Sequence, residues 1–387
     1  MRVLIAFDKF KDSMSAMMAC DIASGAVMSS PGRPDVEACP LADGGEGFAA
    51  ILTRAALGAE ASAEVVGPQG GDRVAPYGIV DLGRVPDRAK AILGKSASGA
   101  GTIAVIEMAA ASGLALLPME LRDPMRSSSF GTGQVMRDAA AHGVRAILLG
   151  VGGSATHDLG LGALAALGLT FCDSEGFMLD PLVPADWPRV ATIGGALPDG
   201  FPPILIACDV DNPLLGPRGA LAVYGPQKGL KPKDAPMLEE EGSRIAALLC
   251  AAFSRPANLV SAPGAGAAGG IAFGLMAGAG ATLLPGFELV SSWLNIEERL
   301  AKADVVITGE GRFDDSSLQG KGPGAIARRA LDLGKTVHVF AGQVGLTRDV
   351  HGLVTHAITP AGMPLKDALA NAPGFLFSSV KRAFSSG

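Results

Sequence analysis

Ala303-Asp-Val-Val-Ile-Thr-Gly-Glu-Gly-Arg-Phe-Asp-Asp-Ser-Ser-Leu-Gln-Gly-Lys321 opens on a short apolar, β-branched run, Asp304 to Thr308, of the kind that forms a buried strand. The run stops at Gly309-Glu-Gly311 and becomes a charged loop with Glu310, Arg312, Asp314, Asp315 and Lys321. Gly324 to Gly334 then has the pattern of an amphipathic helix with a glycine stop. In open α/β sheets, ligands sit outside the carboxyl ends of the strands, where such loops lie. Two glycines let a backbone approach a ligand, two carboxylates suit a metal, and the cations suit phosphate. Ordinary solvated loops carry such residues too, so the other strand ends decide the matter.

They look alike. Arg2 to Ala6 is a strand ending at Asp8-Lys-Phe-Lys-Asp-Ser13, with Ser15 placed to cap a helix over 16–28. Val36 to Leu41 is a second strand, ending in Ala42-Asp-Gly-Gly-Glu-Gly47, and a helix over 48–56 follows. This alternation predicts a doubly wound, Rossmann-like α/β domain with a parallel sheet. From about residue 60 the texture changes. Residues 63–66, 74–80, 91–93 and 102–107 are β-like pieces without helices between them, which predicts an inserted domain of mixed or antiparallel sheet. A helix is expected over 134–141, strands at 144–149 and 203–209, a charged helix within 231–250, and strands at 336–341 and 356–359. The expected first domain is 1–60 plus 290–387, with 126–170 a candidate to join it, and the inserted mixed α/β domain is 61–289.

The 387 residues are enough for two domains with real cores, and 48% hydrophobic against 18% charged residues marks a globular chain. A net charge of -6 argues against a nucleic-acid footprint. An acidic chain that binds an anion must do so with a few placed cations, dipoles and a metal. Five cysteines without CxxC spacing, and no leader peptide, suggest reduced thiols in a cytoplasmic protein. Residues 256–287 carry no charge, but glycine, alanine, Pro263 and Pro285 dominate them. They are expected to form a glycine-rich loop and a buried helix, not a membrane span.

No GxxxxGK[ST] phosphate loop is present. Gly264-Ala-Gly-Ala-Ala-Gly269 is a literal GxGxxG, yet no clear strand precedes it. It still offers backbone N–H groups and a helix start to an anion, as do Gly131–Gly133 and Gly150–Thr156; close packing alone also explains such glycines. Acids gather at strand ends: Asp8, Asp43, Glu46, Asp158, Asp209, Asp211 and Glu310. Carboxylates there can hold Mg2+ or accept a hydroxyl proton, or they can cap the next helix. The cations Lys9, Lys11, Arg126, Lys228, Arg312 and Lys321 lie in the same loops. His157 has no HxxxH or HxH partner, and no Ser-His-Asp or Cys-His arrangement stands out.

Eight of these segments, in order, resemble the glycerate kinases of the first bacterial type. They are Asp8–Ala16, Pro40–Gly47, Ile106–Gly113, Gly152–Thr156, Ala207–Pro213, Gly225–Gly229, Gly264–Gly270 and Ile307–Arg312. The resemblance implies a flavodoxin-like domain, a second domain likened to restriction enzymes, and a site between them. It also implies ATP-dependent, Mg2+-assisted phosphorylation of D-glycerate to 2-phosphoglycerate. The chain departs from the family pattern at Lys9, where serine is usual, at Asp12, where glycine is usual, and at His157, where asparagine is usual.

Phosphoryl transfer needs alignment, charge neutralisation and water exclusion. On that basis Asp209, Asp211, Glu310 and Asp314 are expected to supply metal ligands. Gly152, Gly153, Ser154, Gly264, Gly266, Gly269, Gly270 and Lys228 are expected at ATP. Asp8, Ser13, Gly44, Gly45 and Glu46 are expected at D-glycerate. Lys11 and Arg312 would neutralise charge, and Asp43 or Asp158 would take the hydroxyl proton. Competing readings are a 3-phosphoglycerate-forming kinase, a kinase for another small hydroxy acid, an NAD-dependent dehydrogenase, and a ligand-binding protein without chemistry.

Overall fold

Val3 to Phe7 are all buried, so the first strand must be covered on both faces, the usual state of a strand in a parallel sheet. A computed structural model describes residues 1–32, 34–319 and 322–385. In chain order the strands are β1 (Arg2–Phe7), β2 (Asp35–Ala38), β3 (Ala59–Val66), β4 (Asp72–Asp81), β5 (Thr102–Glu107), β6 (Ala146–Gly150), β7 (Leu169–Cys172) and β8 (Thr192–Gly195). They continue as β9 (Ile204–Cys208), β10 (Thr282–Pro285), β11 (Val305–Gly309), β12 (Arg312–Asp314), β13 (Thr336–Ala341), β14 (Gln343–Gly345) and β15 (Leu353–Ala357).

The chain divides into two units, residues 1–43 with 290–387, and residues 44–289. The first holds an all-parallel sheet in the order β15-β13-β11-β1-β2. Counting only the strands of this sheet, the order is 2-1-3-4-5, the flavodoxin-like order, whose direction of winding reverses between β1 and β11. Ser15 caps the helix Ala16–Met28 as expected, its Oγ accepting from the Met18 N–H at 3.2 Å. That helix and Leu365–Ser385 bury Ala19, Ala23, Leu376 and Val380 with Ile5 and Phe7 in one core. The pair β12 and β14 lies beside the main sheet in sequence and forms its own short parallel ribbon.

The second unit holds a mixed sheet in the order β10-β9-β6-β5-β4-β3. Its first four strands are parallel, β4 pairs antiparallel with β5 and β3 antiparallel with β4, which meets the expectation of a mixed α/β domain. Several local expectations change. Residues 91–93 end a helix, Asp87–Leu93, because three apolar residues carry no period and Arg, Ala and Lys before them favour helix. The helix expected from Gln134 begins at Phe130. Within the uncharged run, the helix Ala267–Ala279 is followed by β10, whose four residues are too few to signal a strand.

Residues 44–60 and 126–170 belong to the second unit. The helix Phe48–Ala55 packs on β4 and β5 and buries Phe48, Ile51 and Leu52, so the division falls earlier than the change of texture. None of the five cysteines forms a disulfide, and among the described residues no helix is long and apolar enough to cross a membrane.

Candidate active site

The register of the central strands sets one cluster. Phe7 pairs with Gly309, so Asp8 and Glu310 emerge together at the carboxyl ends of β1 and β11, where the winding reverses. Gly309 has to be glycine: a Cβ there would meet the Phe340 carbonyl oxygen at 1.8 Å. The Asp8 N–H donates to the Gly309 carbonyl at 3.1 Å, and the Lys9 N–H donates to Asp8 Oδ1 at 2.7 Å. Lys9 Nζ reaches Asp43 Oδ1 at 3.3 Å. Burial and then Asp43 push the Asp8 carboxyl up to about 7, with Glu310 adding and Lys9 opposing. Burial also raises Glu310, helped by Asp314 and Asp43 and opposed by a hydrogen bond from Ser317.

Around this cluster the other predicted residues of the first unit have defined places. Arg312 Nε donates to Asp314 Oδ2 at 3.0 Å, so the cation and the carboxylate expected to act apart are paired on β12. The Ser316 hydroxyl, first, then backbone N–H groups and Arg312, hold the Asp314 carboxyl below its usual range. Ser13 Oγ donates to the Leu369 carbonyl at 2.8 Å, which ties the loop after β1 to the last helix. Lys11 is exposed. Lys321 lies outside the described residues.

The second unit assembles another polar cluster in the loop after β6. The Gly152 N–H donates to the Gly44 carbonyl and the Ala155 N–H to the Ser112 carbonyl, both at 2.9 Å. A Cβ on Gly152 would stand 2.7 Å from the Gly45 Cα, so the glycines of both loops permit this contact. Exposed Glu46 lies close by, its Oε1 3.7 Å from where a Gly153 Cβ would be. Lys228 is buried, and its ammonium donates to Ser154 Oγ at 2.7 Å and to the Thr156 carbonyl at 2.6 Å.

Three predicted groups also carry structural contacts. Asp158 is buried, its Oδ2 accepting from Ser129 N and Ser129 Oγ at 2.7 Å and from Gly162 N at 3.2 Å, its Oδ1 from Gly160 N at 3.2 Å. A carboxylate engaged by four donors joins two helix starts and is poorly placed to take a substrate proton. Asp209 Oδ2 accepts the Phe287 N–H at 2.6 Å at the start of the helix Gly286–Trp293, while Asp211 is exposed. The run Gly264–Gly270 follows a 3-10 turn, Ala257–Ser261, not a strand, which removes the dinucleotide fingerprint. Gly269 has φ +77°, and a Cβ on it would meet the Thr156 carbonyl at 2.1 Å; one on Gly266 would meet the Pro213 carbonyl at 2.2 Å, while Gly264 and Gly270, at φ +85° and +88°, have leucine side chains nearest and backbone at 3.2 and 3.1 Å. Close backbone packing accounts for these glycines.

Among the described residues no group of three or more His, Cys, Asp or Glu side chains could cage a metal. Of the four expected ligands, Glu310 and Asp314 lie in the first unit and Asp209 and Asp211 in the second. Mg2+ bound through one or two carboxylates and substrate phosphates needs no cage, and Glu310 at its strand end suits that mode. Sequence reading left Lys9 and Glu107 without roles. Lys9 pairs with Asp43, and Glu107 Oε2 accepts the Ala49 N–H at 3.0 Å at the start of the helix Phe48–Ala55. The position of Glu107 at the end of an apolar run was the available signal.

The profile of the glycerate kinase family matches residues 3–386. The chain is 36% identical to the glycerate kinase of Halalkalibacterium halodurans, an alignment covering 98% of this chain and 96% of that protein. It is 39% identical to the glycerate 2-kinase of Escherichia coli, covering 92% and 89%. A crystal structure from Salmonella typhimurium LT2, of a protein provisionally named glycerate kinase 2, superposes with a TM-score of 0.76 at 35% identity. That match covers 100% of this chain and 98% of the other.

Proposed function

The chain belongs to the glycerate kinase family and is a kinase, and from that premise we propose that it phosphorylates D-glycerate with MgATP to give 2-phosphoglycerate. The observation that carries the reading is the cluster of Asp8, Lys9, Asp43 and Glu310 around the carboxyl ends of β1 and β11. Acids and a cation at a switch point suit a small hydroxy acid and a phosphoryl group better than an apolar ligand.

In the proposed step an oxygen of glycerate bonds to the γ-phosphorus as the bridge to the β-phosphate breaks, and ADP leaves. Asp8 accepts the hydroxyl proton; a half-buried carboxyl raised towards neutrality by its neighbours has the basicity for that task. Lys9 and Asp43 hold the loop edge that orients the substrate, and Lys11 and Arg312 offset charge on the transferring group. Gly153 and Ser154 present backbone N–H groups to phosphate oxygens. Bound Mg2+, with Glu310 among its carboxylate ligands, would neutralise nucleotide charge. The 2-position follows the name of the E. coli relative.

A coupled assay for ADP release with D-glycerate, ATP and Mg2+ tests the activity, and phosphorus NMR of the product tests the position. A phosphorus signal split by one proton identifies the secondary ester, and splitting by two protons would move the reacting hydroxyl to the 3-position. Glycerate-independent ADP release, or none with any small hydroxy acid, would overturn the reading.

A further inference from the structure

Lys228 is 2% exposed and ends the 3-10 turn Pro226–Lys228 inside the second unit. Its Nζ donates to Ser154 Oγ and the Thr156 carbonyl. An ammonium has donors only. In that bond the Ser154 oxygen must be the acceptor, so its own proton points elsewhere. Among the described residues no acceptor takes that proton. The loop itself is fixed: the Gly152 and Ala155 N–H groups are engaged, and the Gly153 carbonyl accepts the Leu114 N–H at 2.7 Å. On this fixed loop the Ser154 proton is directed away from its buried support, while the Thr156 hydroxyl, also without a partner among the described residues, is itself fully buried.

We propose that Lys228 is a positioning residue which, by donating to Ser154 Oγ, fixes the Ser154 hydroxyl as a hydrogen-bond donor to a phosphate oxygen of the nucleotide. The inference rests on the kinase reading above and gives this loop a specific task within it.

The surroundings set the pH dependence. Burial pushes the Lys228 ammonium down to about 7, with Asp158 opposing. The other titratable group facing it from the loop is His157, which burial and Lys228 lower to about 3, so it is neutral at working pH. Asp158 is fixed by its four donors. A neutral Lys228 amine can still donate to the Thr156 carbonyl, but its lone pair can accept the Ser154 proton. The bond then reverses and the outward donor is lost. The donor is present below about pH 7 and fades as pH rises through that value.

Calorimetric titration of the full chain with a non-hydrolysable MgATP analogue, and separately with D-glycerate, tests this between about pH 6 and 8.5. At the low end S154A should weaken nucleotide binding by about tenfold, the worth of one such hydrogen bond. Wild-type affinity should fall across the range more steeply than that of S154A, since the nucleotide's own protonation is common to both. K228M should resemble S154A, and the double variant should be no weaker than the weaker single one. S154A keeps the buried lysine and its bond to Thr156, so its pH profile decides the matter even if K228M does not fold. Wild-type affinity in S154A, an unchanged pH slope, or loss of glycerate affinity in place of nucleotide affinity would overturn the inference. Wild-type nucleotide binding without glycerate turnover would instead remove the kinase reading.

Discussion

Asp8 and Asp158 both follow parallel strands, yet their surroundings give them opposite work. Asp8 accepts one N–H, is raised towards neutrality by burial and Asp43, and sits where the sheet reverses its winding. Asp158 accepts four hydrogen bonds and supports two helix starts. D8N is therefore expected to lower kcat by about 10² to 10⁴ while leaving the urea midpoint near that of the wild type. D158N should do the reverse, costing about 3 kcal/mol of stability while turnover per folded molecule stays within about tenfold. Urea unfolding and turnover measured on the same samples separate the two, and a thousandfold loss in folded D158N would restore Asp158 as the base. Both residues were legible as acids after strands. What distinguishes them comes from Ser129, far away in sequence, and from a register that no single stretch encodes.

At the scale of elements, the parallel strands of the first unit were legible because their apolar runs are uninterrupted and end in glycine and charge. β10 was not, since four residues inside a Gly/Ala segment carry no period. The edge pair β13 and β15 holds a device with a readable sign. His338 Nδ1 and His356 Nε2 lie 3.0 Å apart, and the His356 ring stacks on Phe340 at 4.2 Å between centroids. A hydrogen bond between two imidazoles requires one neutral acceptor. Burial lowers His338, and burial with His338 lowers His356 to about 4. Unfolded histidines titrate near 6.5, so between that value and about 4 the unfolded chain binds more protons. Stability is fully present above about pH 6.5 and declines as pH falls through this window. For half-exposed rings the loss, discounted for screening, is about 1 kcal/mol. H356Q should flatten part of the decline in melting temperature between about pH 7 and 5, and equal slopes for both proteins would refute the coupling.

At the scale of the whole molecule, the insertion was legible as a change of texture, but its start was not. The helix Phe48–Ala55 looks like one more α element of the first domain, and only its burial on β4 and β5 assigns it to the second. The two units make unequal demands on the chain. Residues 44–289 are contiguous and own every strand of their sheet and a core that includes Leu149, Ile206, Trp187 and Phe273. The first unit must pair β1 with β11 across that entire insertion. Lengthening a closed loop costs only about 0.6 kcal/mol per doubling, so the insertion is tolerated while both ends are present. Residues 44–289 produced alone should therefore fold cooperatively, whereas 290–387 alone, without the central strand β1, should not. The second unit has a single tryptophan, buried Trp187, so its fluorescence reports that core without interference from Trp293. A sharp urea transition in Trp187 emission that coincides with loss of helical circular dichroism is the expected outcome for 44–289. A gradual, non-coincident change would show that this core depends on the flanking segments after all.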